Sequence, residues 1–359
     1  MNGKYKALWL NERGELVVLD QRALPFEKKS VTITNTKECV EAIKNMTVRG
    51  AGIIGNCAAF GIYLAAIEFN SDIDRIKKSA ALIKNSRPTA VNLMWAVDRM
   101  MKTALSYGGE NLIQRLKQEA IAICDEDCKH TKKIASFAAD IFEEIMKKNK
   151  KDKIDILTHC NAGWLAIADE GTALAPIYEL KRRGVDVHVW VDETRPRNQG
   201  ANLTAWELGE EKIKHTVIAD NTGGYLMRRG MVDVCITGAD RVTLSGDVAN
   251  KIGTYLKALA ASDNDIPFYV ALPSSTFDFS IKDGAKIPIE IRDEDEIKFV
   301  RGLDENKNPV KVQIMQERSS ALNYGFDVTP ARLITGLISE RGVCKADITD
   351  IKKMYGDLL

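Results

Sequence analysis

With 359 residues, 45% of them hydrophobic and 28% charged, the chain has an ordinary globular composition and exceeds the usual size of one core, so two domains are expected. A net charge of +1, with acids and bases mixed throughout, excludes a broad basic field for nucleic acid. The opening MNGKYKALWLNERGEL has no apolar run of signal-peptide length and no stretch reads as membrane-spanning, so the expectation is a cytoplasmic protein without a membrane partner; seven cysteines without regular spacing read as reduced thiols.

Strand-like pieces open the chain at Ala7–Asn11, Glu15–Asp20 and Val31–Thr34. Asn35 or Thr36 is placed to cap a helix running to about Asn45, and apolar periodicity predicts helices over Ile53–Ala66, Ile73–Lys84, Thr89–Leu105 and Leu112–Lys148. The lysine-rich Met146–Lys153 reads as a solvated helix end rather than a basic patch. Beyond it, strand-like runs at Ile154–His159, Val185–Val191, His215–Ile218, Val232–Thr237 and Phe268–Leu272 alternate with helical stretches, which implies a parallel sheet covered on both faces. The predicted fold is therefore α/β. Residues 1–130 form a smaller, mostly helical N-terminal domain with a few short strands, and residues 131–359 a doubly wound, Rossmann-like catalytic domain. Asp293–Lys307, acidic and basic by turns, reads as a surface insertion.

Ligands of such sheets bind beyond the carboxyl ends of the strands. Three polar strand ends fall there: Cys160-Asn161-Ala162-Gly163, Asp192-Glu193-Thr194-Arg195-Pro196 and Gly238-Ala239-Asp240-Arg241. Cys160 precedes a helix expected near Trp164, where the dipole and free N–H groups stabilise a thiolate; the plainer alternative is a small buried apolar side chain. Asp240, in an apolar cleft, gains a raised pKa and donates a proton; alternatively it pairs with Arg241. His159 is either a site residue or a strand-end neighbour. Asp247 is placed to cap a helix with Asn250 and Lys251 in its first turn, an unfavourable place for lysine that a bound anion relieves.

Gly50-Ala51-Gly52-Ile53-Ile54-Gly55 matches the dinucleotide pattern G-x-G-x-x-G, but Lys37–Asn45 before it reads as helix where that motif needs a strand. No nicotinamide cofactor is expected. Arg49 before a glycine-rich helix start suits an anion, or else stands solvated at a tight turn. Cys124, Cys128 and His130 supply only part of a metal shell, so no metal is expected.

The segments Val48–Ala51, Arg87–Leu93, Thr158–Gly163, Asp192–Pro196, Gln199-Gly200, Leu203–Leu208, Gly238–Arg241, Gly246–Tyr255 and Phe326–Pro330 together resemble the methylthioribose-1-phosphate isomerase family, relatives of the regulatory subunits of initiation factor 2B. The resemblance implies an aldose–ketose isomerase acting on 5-methylthioribose 1-phosphate in methionine salvage, and possible action on 5-deoxyribose 1-phosphate. It implies Cys160 and Asp240 as the catalytic pair, and Arg49, Gly50, Ala51, Arg87, Gln199, Asn250 and Lys251 as substrate-binding residues. It also implies a homodimer using neither metal nor nicotinamide. Alternatives are a ribose-1,5-bisphosphate isomerase and a non-catalytic initiation factor 2B-like subunit. This chain departs from the family at Gly52, where proline is usual, at Trp164, where a small residue is usual, and at Asn198 and Asn202, where Leu and Arg are common.

Overall fold

A computed structural model describes residues 4–87, 90–107, 109 and 111–359. Three antiparallel strands, β1 (Leu8–Leu10), β2 (Leu16–Leu19) and β3 (Ser30–Ile33), lead into helices α1 (Thr36–Lys44), α2 (Ala51–Glu68), α3 (Ile73–Lys84), α4 (Val91–Ser106) and α5 (Leu112–Asn149). Local chemistry sets two of the starts. Asn35 caps α1 by accepting from the Glu38 amide, and Asp72 caps α3 by accepting from the Asp74 and Arg75 amides. The start expected at Thr89, and Pro88 of the Arg87-Pro88-Thr89 motif, lie outside the described residues.

The helix α2 is long and apolar enough, by length and composition, to cross a membrane, which corrects the expectation that no stretch is. Gly52–Ala66 are all buried, because α1, α3, α4 and α5 pack around α2. It is apolar on every side because every side is covered. The division expected between residues 130 and 131 falls inside α5, a helix of 38 residues that packs on α2 and α4.

Strands and helices then alternate: β4 (Lys153–Thr158), α6 (Ala175–Arg182), β5 (Asp186–Asp192), α7 (Ala205–Glu210), β6 (Lys214–Ile218), α8 (Thr222–Arg228), β7 (Val234–Thr237), the hairpin β8 (Arg241–Thr243) and β9 (Val248–Lys251), α9 (Thr254–Asp263) and β10 (Phe268–Ala271). The remainder comprises β11 (Phe277–Asp278), β12 (Ile291–Arg292), α10 (Asp295–Lys298), the hairpin β13 (Phe299–Leu303) and β14 (Pro309–Gln313), β15 (Asn323–Tyr324), β16 (Phe326–Thr329), β17 (Gly336–Ser339), β18 (Gly342–Cys344) and α11 (Ile348–Tyr355). Seven strands form the main sheet in the order β18-β17-β10-β7-β4-β5-β6, parallel except for β18. Strand alternation divides its side chains. Ile154, Ile156, Val234 and Ile236 join the apolar cluster that contains α2, α5 and α6, whereas Leu157, Cys235 and Val270 join the one beneath α8, α9 and α11. The order reverses between β4 and β7, the switch point at which such sheets bind ligands.

Two local expectations fail beside that point. Turns, not a helix, follow Gly163, and the next helix begins at Ala175. Val248–Lys251 is likewise a strand, in the small sheet β11-β8-β9-β16, rather than the first turn of a helix. Pairing on both sides of β9 outweighs any local helical preference there. Asp247 caps no helix; its carboxylate accepts from the Gly284 and Ala331 amides, at 3.0 Å each, and from the Ser245 hydroxyl at 2.8 Å.

Candidate active site

The chain beyond the adjacent strands β4 and β7 carries Cys160 and Asp240. Cys160 has φ +66°, a left-handed conformation. Its amide donates to Thr194 Oγ1 at 2.8 Å and its carbonyl accepts from Thr204 Oγ1 at 2.7 Å. Behind it, the buried Glu207 carboxylate accepts from Asn161 Nδ2 (2.8 Å), the Trp164 and Leu165 amides (2.8 and 3.0 Å) and the Tyr178 hydroxyl (2.8 Å). Asp240 is held by main chain: its amide donates to Ala249 O at 2.9 Å, in continuation of the β8–β9 ladder.

Cys160, Asp240, Asn250, Arg49, Gly50 and Ala51 line one narrow cleft. Gly50, Ala51 and Asp240 also line a second with Arg87, and Arg49 lines a larger third with Gln199. The predicted residues are thus brought together in three adjoining spaces. Lys251 stands beside them, buried, with Nζ donating to Gly325 O at 2.6 Å and lying 4.6 Å from the centre of the Phe326 ring. The Arg49 guanidinium reaches across to the Cys160 loop, donating to Asn161 Oδ1 and O at 2.5 and 2.8 Å.

Burial dominates the electrostatics of both candidate proton carriers. It pushes the Cys160 thiol up, assisted by the Asp240 charge and opposed by Arg49, Lys251 and the Asn161 N–H. A thiolate favoured by a helix dipole is therefore corrected: no helix starts at Trp164, and the thiol form is favoured instead. Burial also pushes the Asp240 carboxyl up, against the pull of Lys251, Arg87 and Arg49, so this group is biased toward carrying a proton. Lys251 is driven the other way by its own burial, against the charges of Cys160 and Asp240.

The glycines of the G-x-G-x-x-G segment have a packing role. Gly50 (φ +89°) precedes α2, and a Cβ there would stand 2.4 Å from Ala166 Cα; one at Gly52 would stand 2.0 Å from Ile167 Cγ1. The segment before them is the helix α1, as read from sequence.

His159, Asp192 and Asp220 offer donor atoms within 4.8 Å of one another, a grouping not assembled from sequence. Their bonds are already made within the protein. His159 Nδ1 faces Asp192 Oδ2 at 2.9 Å and Nε2 faces Ile252 O at 2.8 Å; the Lys257 ammonium stands 3.2 Å from Asp192 Oδ2. Asp220 accepts from the Thr194 and Arg195 amides at 2.7 Å each. Cys124 lies in the helical core, and the Cys128 thiol donates to Asp169 Oδ2 at 3.4 Å.

Residues 47–346 match the Initiation factor 2 subunit family. Over 359 aligned positions the chain is 62% identical to the methylthioribose-1-phosphate isomerase of Sulfurimonas denitrificans, with 99% of each chain covered. The chain belongs to the methylthioribose-1-phosphate isomerase family. The crystal structure of 5-methylthioribose 1-phosphate isomerase from Pyrococcus horikoshii superposes with a TM-score of 0.83 at 36% identity, covering 98% of this chain and 96% of that one. That of initiation factor eIF-2B subunit delta from A. fulgidus gives 0.81 at 34% identity, covering 98% and 99%.

Within this methylthioribose-1-phosphate isomerase framework, several residues that surround the site had no assigned role in the sequence reading. Thr194, Thr204 and Glu207 sat inside recognised segments, but their partners are distant in the chain. Arg197, Arg292 and Glu296 line the third cleft, so the stretch read as a surface insertion also supplies a wall. Asn198 and Asn202 line it too. Trp164 does not add bulk beside Cys160; it is buried against Trp206, with ring centres 5.4 Å apart. Among the described residues, the buried Arg87 Nε and Gln199 Oε1 have no hydrogen-bond partner, as suits groups that meet a polar ligand.

Proposed function

We infer that this chain is an aldose–ketose isomerase converting 5-methylthioribose 1-phosphate to 5-methylthioribulose 1-phosphate, a step of methionine salvage, with Cys160 and Asp240 moving the protons. The observation that carries the residue assignment is their convergence at the switch point in one buried cleft, beside Arg49 and Lys251. Carbon 1 of the substrate bears the phosphate, so its ring must open before hydrogen moves. Asp240 protonates the ring oxygen, which leaves a cationic carbon 1. On one route Cys160 removes the carbon-2 proton and an enediol-type species takes a proton at carbon 1. On the other, hydride shifts from carbon 2 to carbon 1 while Cys160 takes the carbon-2 hydroxyl proton. Arg49, Arg87, Gln199, Lys251, Asn250 and the α2 start at Gly50-Ala51 hold the phosphate. Neither metal nor nicotinamide enters this scheme.

Turnover on three pentose 1-phosphates, run in D2O as well as water, tests the reading. The 5-methylthio sugar should rank first and 5-deoxyribose 1-phosphate should follow within roughly ten- to two-hundredfold, the range for one small apolar group. Ribose 1,5-bisphosphate should rank last, because the guanidinium groups of Arg197 and Arg292 in the third cleft already pair with Glu296, at 2.9 and 2.6 Å. Deuterium at carbon 1 marks the enediol route, and its absence the hydride shift. The likeness to the A. fulgidus delta subunit supports a second reading, a sugar-phosphate-binding regulatory subunit, and failure to turn over any of the three sugars would favour it.

A homodimer and a cytoplasmic setting belong to the same proposal. Exposed Tyr225 and Leu256 on the contacting helices α8 and α9 support the first, and seven free thiols support the second. Sedimentation equilibrium and cell fractionation check them.

A further inference from the structure

Cys160 is not alone in its backbone strain. Thr194 (φ +67°) and Asn198 (φ +56°) also occupy the left-handed region. For a β-branched residue such as Thr194 this is a true outlier, and strain of this kind persists only where surrounding bonds over-determine it. Those bonds are present. The Asp220 carboxylate accepts from the Thr194 and Arg195 amides, which fixes the Thr194 backbone from outside. The Thr194 hydroxyl donates to Asp192 O at 2.9 Å and accepts from the Cys160 amide at 2.8 Å. Thr204 closes a π-helical turn, Gly200–Thr204, a widened geometry that recurs at functional sites. Its hydroxyl donates to the Cys160 carbonyl at 2.7 Å and accepts from Asn161 Nδ2 at 3.2 Å.

A threonine hydroxyl has one proton to give and lone pairs to receive. Both capacities are in use at each of these residues, and one of them in each case falls on a peptide group of Cys160. Thr194 is fully buried and Thr204 likewise, so water does not substitute for either hydroxyl. Beyond Cys160, the Asn161 N–H reaches the cysteine sulfur, and the Arg49 guanidinium grips the Asn161 side chain and carbonyl. The direction of the sulfur and its two supports therefore follow from the Cys160 peptide planes.

We propose that Thr194 and Thr204 are positioning residues, whose hydroxyls clamp the two sides of the Cys160 peptide in the left-handed conformation and thereby aim its sulfur into the cleft between Asn161 N–H and Asp240. The proposal rests on the assignment of Cys160 as a proton carrier, and its test separates the two. Full-length Thr194→Val, Thr204→Val, Thr194→Ser, Thr204→Ser and Cys160→Ser are compared for kcat, KM, melting temperature and the pH midpoint of Cys160 alkylation by iodoacetamide, read at the Cys160 peptide by mass spectrometry. The valine variants should lose roughly tenfold to a hundredfold in kcat, the scale of an ångström-sized misplacement of a reacting group. Their KM should stay within about threefold of wild type, because the phosphate contacts are untouched. The alkylation midpoint should rise as Asn161 N–H and Arg49 lose their register with the sulfur, and both serine variants should restore rate and midpoint. Wild-type kcat in Thr204→Val, or a loss of rate that serine does not rescue and that leaves the alkylation midpoint unmoved, overturns the clamp. If a valine variant does not fold, the alanine variant at the same position carries the comparison. Full activity in Cys160→Ser removes the assignment of Cys160 itself; an inactive Cys160→Ser beside fully active valine variants removes only the clamp.

Discussion

Cys160 and Asp240 leave neighbouring strands of one sheet, yet their loops are held by different means. Past β4 there is no regular structure, and the Cys160 loop hangs on side chains from distant parts of the chain: Thr194, Thr204, Glu207 and Arg49. Past β7 the Asp240 loop runs directly into a hairpin, with its amide in the ladder. A loop held by main chain keeps its geometry under most substitutions, whereas a loop held by side chains is open to adjustment and damage at single positions. The residue that changes its bonds to carbon and hydrogen most freely, the sulfur of Cys160, is on the loop that few side chains control.

The sharpest way to expose the contrast is at Asp240 itself. Asp240→Asn should cut kcat by roughly a hundred- to ten-thousandfold, the usual worth of a positioned acid, with little change in KM. Because the hairpin fixes the loop, the fold should survive and gain stability at alkaline pH. The wild-type carboxyl is pushed above its unfolded value by burial, so its contribution to stability declines as pH rises from that unfolded value through the folded one, and an amide has no such decline. A destabilised Asp240→Asn, followed by thermal melts at pH 5 and pH 8, would break the comparison.

On the other loop, Glu207→Ala should cost about 5 kcal/mol of folding stability, the upper end for one substitution, because it strands four buried donors at once. Urea denaturation measures it. A loss below about 1 kcal/mol would mean that the loop does not depend on this carboxylate.

Asp127, in the helical layer, separates desolvation from chemistry. Burial pushes its carboxyl up to about 7, so stability should fall as pH rises from about 4 to about 7, and Asp127→Asn should abolish that fall, worth up to about 4 kcal/mol, without lowering kcat. Melts across that range, paired with assays, check both halves. If Asp127→Asn also lost activity, a raised carboxyl would no longer distinguish the site from the core.

Legibility followed the same divide. The helices α1 to α5 lie within two residues of their predicted bounds at nearly every end, because caps such as Asn35 and apolar periodicity are local signals. The five strand-like runs of the C-terminal region all became strands of the main sheet for the same reason. Val248–Lys251 and the stretch after Gly163 were read as helix starts because their true partners, β16 in one case and Glu207 in the other, lie far along the chain. The residue assignments at Cys160, Asp240 and Arg49 drew on strand ends and a family pattern, both visible in sequence. The threonine hydroxyls were not, since Thr194 and Thr204 meet Cys160 across 34 and 44 residues.

The fit between Gly52 and Ile167 carries a meaning for descent. Ile167 Cγ1 fills the place that a side chain at position 52 would need, 2.0 Å from its first carbon. A lineage with proline at 52, as the family pattern usually has, must carry less volume at 167 or shift the loop that bears it. The two positions are then inherited as a pair: a change at one is tolerated only in a background already altered at the other. Which of the two changed first is recorded in the order in which the branches of the family acquired them.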